Sequence, residues 1–291
     1  MLENKINTLL QRNDLIITNQ EKLKIFLKNI DLKETLFVFD FDWTITKKWQ
    51  YSSFLPINKP LNVWEEYFNY KKIINNYYQT IEFAHWFDEV YEMLENNDKL
   101  LARSWITYDD FKWMMMDRWF WEVMKIATIL KNDLSSIDYS LVEFKPNAKD
   151  ILNEIMSKEL DLLVVSAWIK NFITWFFDYH NIDNKAKIIW NEFYLDDKWI
   201  IKDYNKNIIT TFTKHKIDYQ NTWINTKKFA IQAWDSIWDS NIVKRHFNPE
   251  NLLSIWFLND DIKSLQHYKN HFDIILTKND SSFDFIKHLI N

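Results

Sequence analysis

Residues 36–46, Leu-Phe-Val-Phe-Asp-Phe-Asp-Trp-Thr-Ile-Thr, constrain this chain more than any other stretch. An unbroken apolar run from Leu36 to Phe39 ends in two carboxylates, Asp40 and Asp42. Such a run reads as a strand covered on both faces, the kind found in parallel sheets. A covered strand that delivers two acids at its C-terminal end needs partners for them, because an unpaired buried charge is expensive. Ligands of open α/β sheets bind beyond the carboxyl ends of the strands. The run therefore predicts an active site with Asp40 and Asp42 as its first members. Taken alone, it also fits a strand followed by an acidic turn, and the rest of the chain has to decide between the two.

The first strand spans about 35–40, after a segment, 1–31, whose apolar spacing predicts helix. From Trp49 to about Phe144 the pattern is helical, with stretches near 63–78, 86–102 and 107–131, the last capped by Thr107. A helical block of that length is too long for a plain crossover and predicts an inserted cap, 49–144, over the C-terminal edge of the sheet. From Pro146 the pattern alternates strand and helix. A helix over 147–157 precedes a strand at 160–165, then a helix near 170–180 and a strand at 187–189. A hairpin follows over 191–204, turning at Asp196-Asp197-Lys198-Trp199. Further strands lie at 229–233, 252–257 and 273–276. This predicts an α/β fold, a doubly wound and mostly parallel Rossmann-like sheet, with its core in 1–48 and 145–291.

Composition narrows the function. With 47% apolar and 26% charged residues the chain is globular, and a net charge of −5 without a basic block argues against a nucleic-acid partner. Having no cysteine, it can form neither a disulfide nor a thiolate metal site. No apolar run reaches the ~18 residues that suggest a membrane span, and the N-terminus lacks a secretory pattern. The expected location is cytoplasmic.

Glycine is absent, whereas tryptophan occurs 16 times. Average usage of about 7% would give roughly twenty glycines, and a fold of this size needs residues that accept positive φ. Tryptophans stand where glycine is expected: Trp43 after the acidic pair, Trp168 at a strand end, Trp199 in the hairpin turn, Trp234 and Trp238 around Asp235. The pattern predicts that many of these positions are glycine in the natural protein, through a reassigned codon or deliberate substitution.

Polar residues at or beyond strand ends make up one candidate constellation: Asp40 and Asp42, Ser166, Lys214, Asp235 and Asp239. These motifs resemble a known superfamily. Asp40-Phe41-Asp42-Trp43-Thr44 is similar to the Asp-x-Asp-x-Thr opening of haloacid dehalogenase-type phosphatases, Val165-Ser166-Ala167 to their second motif, and Trp234-Asp235-Ser236-Ile237-Trp238-Asp239 to Gly-Asp-Ser-x-Gly-Asp, the fourth. The likeness narrows at Ile189-Trp190-Asn191-Glu192-Phe193, Asp197-Lys198-Trp199, Thr211-Phe212-Thr213-Lys214 and Phe257-Leu258-Asn259-Asp260. These resemble the cytosolic pyrimidine 5′-nucleotidase family, with Trp where that family has Gly. In the cap, Tyr77-Tyr78-Gln79-Thr80-Ile81-Glu82 is similar to the family's Tyr-Tyr-x-Ile-Glu.

The resemblance implies a Mg²⁺-dependent hydrolase of pyrimidine nucleoside 5′-monophosphates. Asp40 is then the nucleophile that forms an aspartyl-phosphate, and Asp42 the general acid and base. Asp40, Asp235 and the Asp42 carbonyl would hold the metal, with Asp239 supporting through water or through Asp235. Lys214, Ser166 and the backbone at Ala167 would bind the phosphoryl group, and Glu82 the base. The expected partner is a small-molecule nucleotide. Two other readings stay open: a phosphoserine-type small-molecule phosphatase, and a nucleotide-binding protein without turnover.

Overall fold

A computed structural model of the chain describes residues 2–47, 139–182, 185–198, 200–205, 209, 214, 223–235, 237–260, 262 and 265–290. The chain divides into two compact units. One comprises Met1–Pro56, Tyr139–Glu192 and Thr211–Asn291, and the other Ile57–Asp138 and Phe193–Thr210. The helices expected between residues 63 and 131, and with them Glu82, lie outside the described residues.

In the first unit, β1 (Leu15–Ile17), β2 (Thr35–Phe39), β3 (Asp161–Ile169), β4 (Lys187–Asn191), β7 (Phe229–Trp234), β8 (Leu252–Phe257) and β9 (Ile274–Leu276) form one sheet. Its order is β1-β9-β8-β7-β2-β3-β4. Every pairing is parallel except β1 with β9. The strands follow helices α1 (Leu2–Leu10), α2 (Gln20–Asn29), α3 (Ala148–Ser157), α4 (Lys170–Tyr179), α5 (Ile237–Lys244), α6 (Leu265–Tyr268) and α7 (Phe285–Ile290) in the alternation expected of a doubly wound sheet. No helix among the described residues is long and apolar enough to cross a membrane.

β2 shows why the pattern folds this way. All five of its residues are buried, and alternate side chains serve opposite faces. Leu36 and Val38 join Leu163, Val165, Trp234, Ile242 and Val243 in one cluster. Phe37 and Phe39 meet edge to face, and Phe39 packs on Phe283, which stacks on Phe257 4.9 Å away. Each such side chain, fully buried, is worth about 1.5–3 kcal/mol. β2 lies between β3 and β7, where the chain turns from one half of the sheet to the other. That is the switch point at which α/β folds bind ligands.

Three expectations need correction. Residues 1–31 are not one helical segment, because β1 interrupts them. Arg12 pairs with Asp14 at 2.9 Å and also with Asp284, turning the chain so that Leu15, Ile16 and Ile17 line up on Leu276, Ile275 and Ile274. Long-range strand pairing overrides the local helical spacing. The strand expected to stop at 165 runs through Ser166 to Ile169, with an irregularity in its pairing to β4 between Val165 and Ile169. The hairpin belongs to β5 (Phe193–Leu195) and β6 (Ile201–Tyr204), in the second unit, while Asn191 ends β4. Asp196 closes its turn, its Oδ1 accepting from the backbone N–H of Lys198 and of Ile200.

Candidate active site

The site begins where β2 ends. The Asp40 N–H still donates to Ala233 O on β7 at 3.1 Å, so its backbone continues the ladder. Phe41 then turns into the core, meeting the Phe176 and Phe177 rings of α4 at 5.4 and 6.0 Å. Extended backbone at Asp40 (φ −74°, ψ 160°) and Asp42 (φ −67°, ψ 135°) flanks Phe41, and the Asp42 charge reaches Asp235. At Trp43 the chain reverses with φ 60° and ψ −1°. Thr46 closes the turn, its N–H donating to Phe41 O at 3.1 Å and its Oγ1 accepting from Trp43 N at 3.2 Å. This left-handed conformation is one that a residue without Cβ adopts easily.

Lys214 stands over the site, only 2% exposed. Its Nζ donates to Asp40 Oδ2 at 2.9 Å and to Asp239 Oδ2 at 3.1 Å, and lies 5.8 Å from the centre of the Trp234 ring. Asp40 Oδ1 accepts from Phe41 N at 2.7 Å. Asp235 follows β7 directly, and Asp239, 1% exposed, sits in the first turn of α5. Asp40, Asp235 and Asp239 each offer a ligand oxygen, all within 4.8 Å of one another.

Electrostatics explain what this cluster lacks. Desolvation and then the Asp40 charge push Asp235 up to about 8, with Lys214 opposing and Asp42 adding to the rise. Desolvation also holds Asp239 well above the usual carboxylate range, against the pull of Lys214. Burial disfavours the Lys214 ammonium, but Asp239 and Asp40 outweigh it and hold it above its ordinary value. Among the described residues, Asp40, Asp235 and Asp239 all act on one buried ammonium, that of Lys214. Asp239 Oδ1 is buried without a hydrogen-bond partner. All-oxygen donors, excess negative charge and an unsatisfied carboxylate oxygen fit a hard divalent cation.

Ser166 is buried on β3, two residues past Val164, the register partner of Phe39. The carbonyl of Ala167 accepts from Asn191 Nδ2 at 2.6 Å, which pins the segment after Ser166. The sequence carries only a slight signal for Asn191: a polar residue closing an apolar strand. Two indoles are fully accommodated near the site. Trp234 donates from Nε1 to Gln232 Oε1 at 2.7 Å, and Trp256 to Asp235 O at 3.0 Å.

Comparison with known proteins settles the lineage. The family model described as pyrimidine 5′-nucleotidase (UMPH-1) matches residues 51–291. The chain belongs to the pyrimidine 5′-nucleotidase family. That match begins beyond Asp40 and Asp42, so their place in this family member rests on the geometry above. A 7-methylguanosine phosphate-specific 5′-nucleotidase from Gallus gallus is 21% identical over 193 residues, 63% of this chain and 66% of the relative. The chain thus aligns with slightly less than two thirds of that relative's length. The crystal structure of cytosolic 5′-nucleotidase IIIB bound to cytidine superposes with a TM-score of 0.73 at 18% identity, covering 99% of this chain and 96% of that one. The α/β fold of that nucleotidase is therefore the fold of this chain.

Proposed function

We propose that the protein is a cytoplasmic Mg²⁺-dependent 5′-nucleotidase that hydrolyses pyrimidine nucleoside monophosphates to nucleoside and phosphate. The observation that carries this reading is the buried Asp40–Lys214–Asp239 array, with Asp235 beside it, at the switch point of the sheet in a member of this family. Asp40 and Asp235 would hold the metal through side-chain oxygens and Asp42 through its carbonyl, with Asp239 close by. When bound, the ion supplies positive charge that draws a phosphate dianion against carboxylates.

The chain's own residues do the rest. Lys214, 2.9 Å from Asp40, offsets the repulsion between the nucleophile and the phosphate. An Asp40 oxygen attacks phosphorus, the bond to the 5′-oxygen breaks, and Asp42 delivers its proton to that oxygen. Asp42 then takes a proton from water as the water attacks the aspartyl-phosphate, which frees phosphate and restores Asp40. Ser166 and the backbone at Ala167 orient the phosphoryl oxygens. The family resemblance alone assigns residues 49–144 to a cap and Glu82 to the base.

Phosphate release from UMP, CMP, 7-methyl-GMP and phosphoserine, with Mg²⁺ and with EDTA, tests the reading. Mg²⁺-dependent release from UMP or CMP is expected. Release from phosphoserine alone, or from none of them, refutes it. The 7-methylguanosine phosphate specificity in the avian relative's name makes 7-methyl-GMP the alternative nucleotide to include.

A further inference from the structure

Asn259 lies just beyond β8, buried, in a left-handed backbone conformation with φ 54°. Its Nδ2 donates to the carbonyl of Trp43 at 3.0 Å, and its Oδ1 accepts from Lys145 Nζ at 2.6 Å. The amide can sit only one way round. An ammonium only donates and a carbonyl only accepts, so Lys145 and Trp43 O together fix its orientation. Lys145 is itself 1% exposed. Its Nζ also donates to Asn279 O at 2.8 Å, and its backbone N–H to Ile45 O at 2.9 Å. Asn279 N in turn donates to Asp260 Oδ2 at 3.1 Å, and Asp260 N to Thr277 O at 3.0 Å. A polar strut therefore runs from the loops after β8 and β9 to the single peptide carbonyl between Trp43 and Thr44.

Asp42 hangs between two anchors. Phe41, packed against Phe176 and Phe177, holds the side nearer β2, and the Asn259 bond to Trp43 O holds the other. Trp43 occupies a left-handed backbone region that is unfavourable for a residue with a Cβ, so this turn needs an external hold. We propose that Lys145 and Asn259 are positioning residues that aim the Asp42 carboxyl at the leaving oxygen of the substrate. The inference rests on the phosphatase reading above and adds to it two residues that never touch the substrate.

The test is leaving-group dependence. UMP needs a proton on its 5′-oxygen, whereas the phenolate of p-nitrophenyl phosphate leaves without one. Asn259→Asp is nearly isosteric and can still pair with Lys145, but it has no hydrogen to donate to Trp43 O. It should fold, melt somewhat below the wild type, and lose about 10²-fold in kcat for UMP, the scale of a 1 Å misplacement. First-turnover release of p-nitrophenolate should keep the wild-type rate. Lys145→Met, which leaves Asn259 in place but removes the group that sets its orientation, should show the same selective loss and decides the matter if Asn259→Asp fails to fold. Equal losses on both substrates, or no loss on UMP, overturn the proposal. A wild-type protein that turns over neither compound overturns the phosphatase reading and this inference with it, a result distinct from equal losses in an active enzyme.

Discussion

Residue 43 permits a comparison in which the ordinary rule for glycine reverses. Take two variants, Trp43→Ala and Trp43→Gly. Both remove the half-buried indole and keep every backbone bond of the turn, namely Thr46 N to Phe41 O, Trp43 N to Thr46 Oγ1, and Asn259 Nδ2 to Trp43 O. They differ only by a methyl group. At an ordinary position alanine is the more stable by roughly 0.5–1 kcal/mol, because glycine loses more freedom on folding. At φ 60° and ψ −1° the Cβ meets the neighbouring carbonyl, at a cost of about 1–2 kcal/mol. The difference leaves glycine ahead by about 0.5–1 kcal/mol. In a chain of this size that is a shift of about 2 °C or less in Tm, so urea midpoints at matched slope should be measured alongside melting curves. Glycine should also allow the phosphate closer to the backbone and raise turnover on UMP above that of the alanine variant. Alanine equal to or more stable than glycine at this site would refute both the strain estimate and the expectation that position 43 is naturally glycine.

Asp40→Asn should fold and bind nucleotide while losing all measurable phosphate release; residual turnover near wild type would remove Asp40 as the nucleophile. Lys214→Met leaves Asp40 and Asp239 facing each other in a buried site and should cost about 3–5 kcal/mol of stability, readable by denaturant titration in EDTA; a cost within about 0.5 kcal/mol would place that ammonium outside the network. Stability in EDTA should fall with rising pH. Asp235 ionises near 8 in the folded protein but at its ordinary 3.8 when unfolded, so between those values the folded state binds more protons and each step up in pH favours unfolding. Mg²⁺ should restore stability most at the alkaline end, and Tm values that rise across this window in EDTA would refute the assignment.

Two acidic members of the site were legible because they follow the same local grammar, an apolar strand ending in a carboxylate: 36–39 into Asp40, 229–234 into Asp235. Lys214 had a weaker signal, a polar residue near a strand end that the family motif reinforced; 174 residues separate it from the Asp40 oxygen it touches. β1 was not legible. Its three residues continue the helical spacing of their neighbours, and only pairing with β9 makes them a strand. The family-like motif at 257–260 contains Asn259, but nothing in the sequence gives that side chain a partner. Its bond to Trp43 O depends on a left-handed backbone in two separate loops, which no periodicity encodes.

The antiparallel edge strand also bears on how the molecule is born. Leu15 pairs with Leu276, so the chain must leave the ribosome through residue 276 before that ladder can close, and closure over a loop of about 260 residues is slow even though its entropy grows only as a logarithm. Until then the outer rim of the nascent sheet is bare, and a ribosome-stalled chain ending before Ile274 should be captured by holdase chaperones while the finished protein is not.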